Sequence, residues 1–153
     1  MRNTILLIED EKKTAQMLKQ ALESEGIDVV WASDGEQALK AVERGKFDLI
    51  ILDLKLPLIP GDQVLEGIRR VDPYVEVLVY TNYSDPPVMQ KLINLGVEGY
   101  IRKGAEADLW DTVARIKAML DPFSEDERET LLEAVPEGAF ENDSRGGAVG
   151  EIE

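Results

Sequence analysis

The chain has 153 residues, 44% apolar and 31% charged, with a net charge of −14, a length that fits one domain with a buried core. It contains no cysteine and no histidine, which excludes disulfides, thiolate or imidazole metal ligands, Ser-His-Asp triads and imidazole bases. The acidity excludes a basic duplex-binding face, so any chemistry runs on carboxylates, lysines, hydroxyls and backbone.

Ile5 to Ile8 is a short apolar run cut off by Glu9-Asp10-Glu11, too short for a signal peptide or a membrane span. From Glu11 to Glu25, Ala15, Leu18, Ala21 and Leu22 recur at helical spacing, and Gly26 closes the helix. Ile27, Val29, Val30 and Trp31 read as a second strand. After the Asp34-Gly35 turn, Ala38, Leu39, Ala41 and Val42 form the apolar face of a helix ending at Gly45.

Leu49 to Leu52 is a third apolar run, and it delivers Asp53. A run without polar alternation suits a strand covered on both faces. Pro57 and Gly61 turn the chain into a helix carrying Val64, Leu65, Ile68 and Val71. Val75 to Tyr80, rich in β-branched and aromatic residues, predicts a fourth strand reaching Thr81. Met89, Leu92, Ile93 and Leu95 mark the next helix, and Val97 to Ile101 a last strand before Arg102-Lys103. Leu109, Val113 and Ile116 mark a final helix.

Five strand–helix units in strict alternation predict an α/β fold, a doubly wound five-stranded parallel sheet with helices on both faces. Ligand groups in such folds stand just outside the carboxyl ends of the strands. Here those positions hold Glu9, Asp10, Asp53, Thr81 and Lys103. Three carboxylates at one sheet edge raise one another's pKa unless a cation compensates. With oxygen ligands alone on offer, Mg2+ is the natural occupant. A carboxylate nucleophile, a divalent metal, a lysine and a hydroxyl are the parts that accept a phosphoryl group.

Over about residues 4–120 the sequence resembles the receiver domain of the bacterial two-component response regulators. The landmarks are Glu9-Asp10, Asp53 followed by Pro57 and Gly61, Thr81, and Tyr100 three residues before Lys103. The resemblance implies a flavodoxin-like (βα)5 receiver fold with strand order 2-1-3-4-5. It implies that Asp53 takes a phosphoryl group from a sensor histidine kinase or a histidine phosphotransfer protein. Mg2+ would lie on Glu9, Asp10, Asp53 and the main-chain carbonyl of Lys55. Lys103 would pair with the phosphoryl oxygens and Thr81 would hydrogen-bond one of them. Tyr100 would rotate into the space Thr81 leaves, altering the face of the fourth helix, fifth strand and fifth helix.

The chain is then a cytoplasmic signalling module with Mg2+-dependent self-phosphorylation and autodephosphorylation, not a metabolic enzyme. Its output would be changed binding to a downstream protein, with no nucleic acid and no membrane insertion. Homodimerisation through the fourth-to-fifth helix face is left open. The alternative is a pseudo-receiver, the same fold used as a phosphorylation-independent binding module. Two departures keep that alternative in view: Gly104 stands where proline usually follows the lysine, and Asn82 where a small residue usually follows the threonine. Lys55 and Tyr83 occupy positions that tune phosphoaspartate hydrolysis in this family. A flavodoxin is disfavoured, since Glu9-Asp10-Glu11 would repel a cofactor phosphate, and a phosphatase with an aspartyl nucleophile would carry it after the first strand.

The remaining residues read as structure. Trp31 and Trp110 are expected to pack, Met17, Met89 and Met119 to fill the core, and Asp48 to bond local backbone. Residues 121–153 hold 11 Asp and Glu against Arg128 and Arg145, a net of −9. They form an acidic tail after a receiver domain of residues 1–120. Ser124 with Glu127 resembles a capping box for a short helix at about 124–135, and the polar, glycine-rich run 142–150 reads as disordered.

Overall fold

A computed structural model of the chain describes residues 2–82, 85–103, 108–121 and 125–134. Ten elements alternate through the first compact unit, residues 1–120. They are β1 (Thr4–Ile8), α1 (Lys12–Ser24), β2 (Asp28–Ala32), α2 (Gly35–Arg44), β3 (Leu49–Leu52), α3 (Gly61–Val71), β4 (Val77–Thr81), α4 (Pro86–Leu95), β5 (Gly99–Arg102) and α5 (Leu109–Leu120). In the second unit, α6 spans Glu125–Ala134, with Leu131 and Leu132 exposed. Ser124, Val135 and the run 142–150 lie outside the described residues.

The sheet is parallel throughout, in the order β2-β1-β3-β4-β5, as expected. Side chains alternate across a strand, and each inner strand therefore feeds two cores. Leu6, Ile8, Ile50, Leu52, Val77 and Val79 face one core, closed by α2, α3 and α4 through Ala38, Val64, Ile68 and Leu92. Ile5, Leu7, Leu49, Ile51 and Leu78 face the other, closed by α1 and α5 through Leu18, Leu22, Val113 and Ile116. This two-sided burial is why β1 and β3 carry apolar runs without polar alternation. Fully burying a Leu or Ile contributes about 1.5–3 kcal/mol, so these runs also supply much of the stability.

The last two strands start later than their composition predicts. Val75 is buried, but its N–H donates to Asp72 Oδ1 at 3.1 Å and its carbonyl accepts from Arg69 Nη1 at 2.6 Å. Those side chains take the groups that a ladder would need. Glu98 does the same before β5, its carboxylate accepting the Val77 N–H at 3.0 Å. Asp48 does bond backbone, but across the sheet: its Oδ2 accepts the Thr4 N–H at 2.8 Å. Met17 is 47% exposed, because α1 turns Ala15, Leu18, Ala21 and Leu22 inward and position 17 falls outside that stripe. Trp110 is also exposed, while Met89 and Met119 pack against the cores as expected.

Candidate functional site

Register places the polar residues. Ile8 pairs with Leu52 across β1 and β3, so Glu9 and Asp53 emerge side by side at the carboxyl edge. Their backbones remain in the ladder: Asp53 N–H donates to Ile8 O and Glu9 N–H to Ala32 O, each at 3.0 Å. On the other side of β3, Thr81 pairs with Arg102, and the Lys103 N–H donates to Thr81 O at 3.2 Å. Four strands thus end around one point.

Gly61 closes that point from below. Its N–H donates to Leu54 O at 2.9 Å, and a Cβ there would stand 2.5 Å from Leu54 Cα and 2.6 Å from Asp53 O. Only glycine lets α3 begin so close to the strand end. Between them the chain makes a γ-turn, Ile59 N–H to Pro57 O at 2.7 Å, with Leu58 at φ 69° and exposed.

Oxygens of Glu9, Asp10 and Asp53 gather within 4.8 Å of one another; Glu9 and Asp53 are buried and Asp10 is exposed. Lys103 Nζ lies 2.9 Å from Asp53 Oδ2 and also pairs with Glu9 Oε1. Glu9 Oε2 accepts the Glu11 N–H at 3.0 Å, and Asp53 Oδ1 accepts the Lys55 N–H at 3.3 Å. Glu9 Oε1 is buried, and its partner among the described residues is the Lys103 ammonium.

Burial pushes the Glu9 carboxyl up to about 7, and the Asp53 charge adds to the rise, while Lys103 and the Glu11 N–H oppose it. For Lys103, burial pulls downward, but hydrogen bonds and charge from Asp53 and Glu9 outweigh it and hold the ammonium above its ordinary value. An oxygen-only donor set, with two buried carboxylates sharing a single ammonium and a third acid at the mouth, fits a hard divalent cation.

The cavity over this cluster has a volume of about 250 Å3 and is lined by Glu9, Asp10, Glu11, Asp53, Lys55, Thr81, Asn82 and Lys103. Six of the seven residues singled out in the sequence therefore meet in it. Tyr100 does not: it sits opposite Val79 in β5, half-buried toward the core under α2, α3 and α4. Asn82 stands on the cavity wall, while Gly104 and Tyr83 lie outside the described residues.

Three contributors escape sequence reasoning. The Glu11 N–H holds Glu9, the Tyr80 ring centroid lies 5.6 Å from Lys103 Nζ within cation–π reach, and Trp31 Nε1 donates to Glu9 O at 2.7 Å. None shows a spacing signal, because each contact crosses strands or uses main chain.

With this geometry in hand, likeness to known proteins is specific. The family model for the response regulator receiver domain matches residues 5–114. The chain is 35% identical over 120 residues to the alkaline phosphatase synthesis transcriptional regulatory protein PhoP of Bacillus subtilis (strain 168), covering 78% of this chain and 49% of that protein. It spans about half the length of the curated relatives it matches. A CheY-like receiver domain protein from Methanospirillum hungatei JF-1 superposes with a TM-score of 0.74 at 29% identity, covering 84% of this chain and 99% of that one. A response regulator from Burkholderia pseudomallei, solved with a phosphorylated aspartic acid, calcium ion and citrate, superposes with a TM-score of 0.67 at 27% identity. That match covers 92% of this chain and 75% of that one.

Proposed function

Because the chain belongs to the response regulator receiver domain family, we propose that it is a phosphorylation-dependent signalling receiver in a two-component phosphorelay, with Asp53 as the phosphoacceptor. The observation that carries this reading is the buried Asp53 carboxylate at a strand end, held by Lys103 at 2.9 Å beside two further acids. The phosphodonor is a histidine kinase or a histidine phosphotransfer protein. An Asp53 oxygen attacks phosphorus, the P–O bond forms as the P–N bond breaks, and the histidine nitrogen keeps the electron pair, leaving as a neutral imidazole whose other ring nitrogen carries the proton.

Glu9, Asp10, Asp53 and the main-chain carbonyl of Lys55 would hold Mg2+, which when bound neutralises charge on the phosphoryl oxygens. Lys103 is already aimed at the acceptor, so it needs only to exchange a carboxylate partner for a phosphoryl oxygen. Thr81, buried at the cavity wall, supplies a hydroxyl to another of those oxygens. Water attack on phosphorus later breaks the bond to the Asp53 oxygen, releasing inorganic phosphate and returning the free carboxylate.

Output is proposed to pass through Tyr100 to the face formed by α4, β5 and α5; on α4 itself, Ile93 is 62% exposed. A downstream protein, or a second copy of this chain, would bind there. No helix among the described residues is long and apolar enough to cross a membrane, and a cytoplasmic place is part of the proposal.

Intact-protein mass after incubation with acetyl phosphate, with and without Mg2+, tests the core of this reading. One phosphoryl mass should be gained, and both omission of Mg2+ and Asp53→Asn should abolish it. If neither acetyl phosphate nor beryllofluoride modifies the wild-type site, the chain is a phosphorylation-independent binding module.

A further inference from the structure

We propose that Trp31 is a positioning residue for the acidic loop, its indole N–H fixing the peptide plane that aims Asp10 into the carboxylate cluster. What the cluster holds is taken from the receiver reading above; the positioning itself rests on geometry. Of the three acids, Glu9 is held by Lys103 and the Glu11 N–H, and Asp53 by Lys103 and the Lys55 N–H. The Asp10 carboxylate is exposed and has no hydrogen-bond or ion-pair partner among the described residues. The direction in which its Cα–Cβ bond leaves the chain is set by its backbone, with no side-chain partner among the described residues to redirect the carboxylate.

That backbone begins with the Glu9–Asp10 peptide, a rigid plane. Glu9 N–H is anchored to Ala32 O at 3.0 Å, and Glu9 O accepts the indole N–H of Trp31 at 2.7 Å. Rotation of the plane would break the second bond. Trp31 lies in β2 opposite Leu7 and packs half-buried beside the α1 and α5 core. Packing alone would be served by any large apolar ring, whereas the N–H aimed at this one carbonyl requires tryptophan. It is thus an outer support of a cation site, the kind of group whose loss weakens metal binding without touching a ligand.

The test compares wild type, Trp31→Phe and, as a control away from the site, Trp110→Phe. Two quantities are read: Mg2+ affinity by calorimetry, and the Asp10 amide signal by NMR in metal-free protein. Trp31→Phe should weaken Mg2+ about five- to tenfold and shift the Asp10 amide, leaving the metal-free melting temperature within a few degrees; Trp110→Phe should change neither quantity. An unmoved Asp10 amide together with Mg2+ affinity within twofold of a binding wild type would overturn the proposal. Should Trp31→Phe fail to fold, benzothienylalanine at position 31 in a Trp110→Phe background replaces the N–H by sulfur at constant shape and answers the same question. A wild type that binds no Mg2+ would refute the receiver reading, while the Asp10 amide would still decide the positioning role.

Discussion

Lys103 Nζ lies 2.9 Å from Asp53 Oδ2 and pairs with Glu9 as well, so one ammonium serves two buried carboxylates delivered by separate strands. Removing it leaves like charges facing each other in a site that water reaches poorly. Lys103→Met should slow phosphorylation by acetyl phosphate about 100-fold, the usual loss when one charge-stabilising donor is removed. Its stability loss should be larger at pH 8 than at pH 5, because at pH 5 a protonated Glu9 relieves the repulsion. Urea melts at the two pH values check this; an equal loss at both would show that the pair does not share the lysine's charge.

Glu9 gives the fold a pH dependence of definite sign. Burial raises its carboxyl to about 7 from an ordinary 4.5, so between those values the folded protein keeps a proton that the unfolded chain has lost. Stability from this group is therefore greatest at low pH, falls as pH rises from about 4.5 to about 7, and is level above. Glu9→Gln should remove that decline, seen as a flatter profile of urea midpoints across the window in EDTA. Because the cation needs the ionised form, Mg2+ affinity should rise over the same window, with proton release near pH 6 measurable by calorimetry in buffers of different ionisation heat. A variant profile parallel to wild type would rule Glu9 out as the titrating group.

How far the sequence was legible depended on whether a contact followed the period of an element. Ile5–Ile8 and Leu49–Leu52 showed two-sided burial as unbroken apolar runs, and each run ended on an acid that the parallel register brought together. The site could be read because strand ends are where such runs stop. Trp31 could not be read that way: its packing followed from β propensity, but its hydrogen bond joins β2 to the main chain of a loop. Val75 and Val97 misled for a related reason, since their composition is that of a strand while Asp72, Arg69 and Glu98 occupy nearby ladder groups. Tyr100 matched its landmark position yet lies off the cavity, which spacing alone does not reveal.

Gly61 links the helix start to the acceptor loop. A methyl group there would stand 2.5 Å from Leu54 Cα and 2.6 Å from Asp53 O, both backbone atoms that cannot swing aside. Gly61→Ala should therefore destabilise by about 2–3 kcal/mol, in the range of overpacked sites, and should lower the phosphorylation rate by displacing the segment that carries Asp53. A thermal melt and an acetyl phosphate time course read the two effects. Wild-type values in both would mean that α3 can move away from the strand end without cost.

Arg69 holds the far ends of α3 and α4. Its guanidinium donates to Leu95 O at 3.0 Å, Gly96 O at 2.6 Å, Val75 O at 2.6 Å and Asp72 O at 3.3 Å. Two of those carbonyls lie at the end of α4, where Gly96 turns left-handed at φ 88°, and carbonyls at a helix end have no partner within the helix. One planar fork thus ties the end of α4 to the entrance of β4, while Lys91 ties α4 to α3 through Asp62 at 2.9 Å and Glu66 at 3.1 Å. A lysine cannot reproduce a four-acceptor fork, so Arg69→Lys should cost about 3 kcal/mol, the low end of what losing two charge-assisted bonds to backbone costs. Hydrogen exchange should speed up at the C-terminal end of α4 and in the Gly96–Glu98 segment, with Asp53 phosphorylation unchanged, because the tie lies at the opposite edge of the sheet from the carboxylates. Faster exchange across the whole of α4 would instead show that Lys91 cannot anchor the rest of the helix.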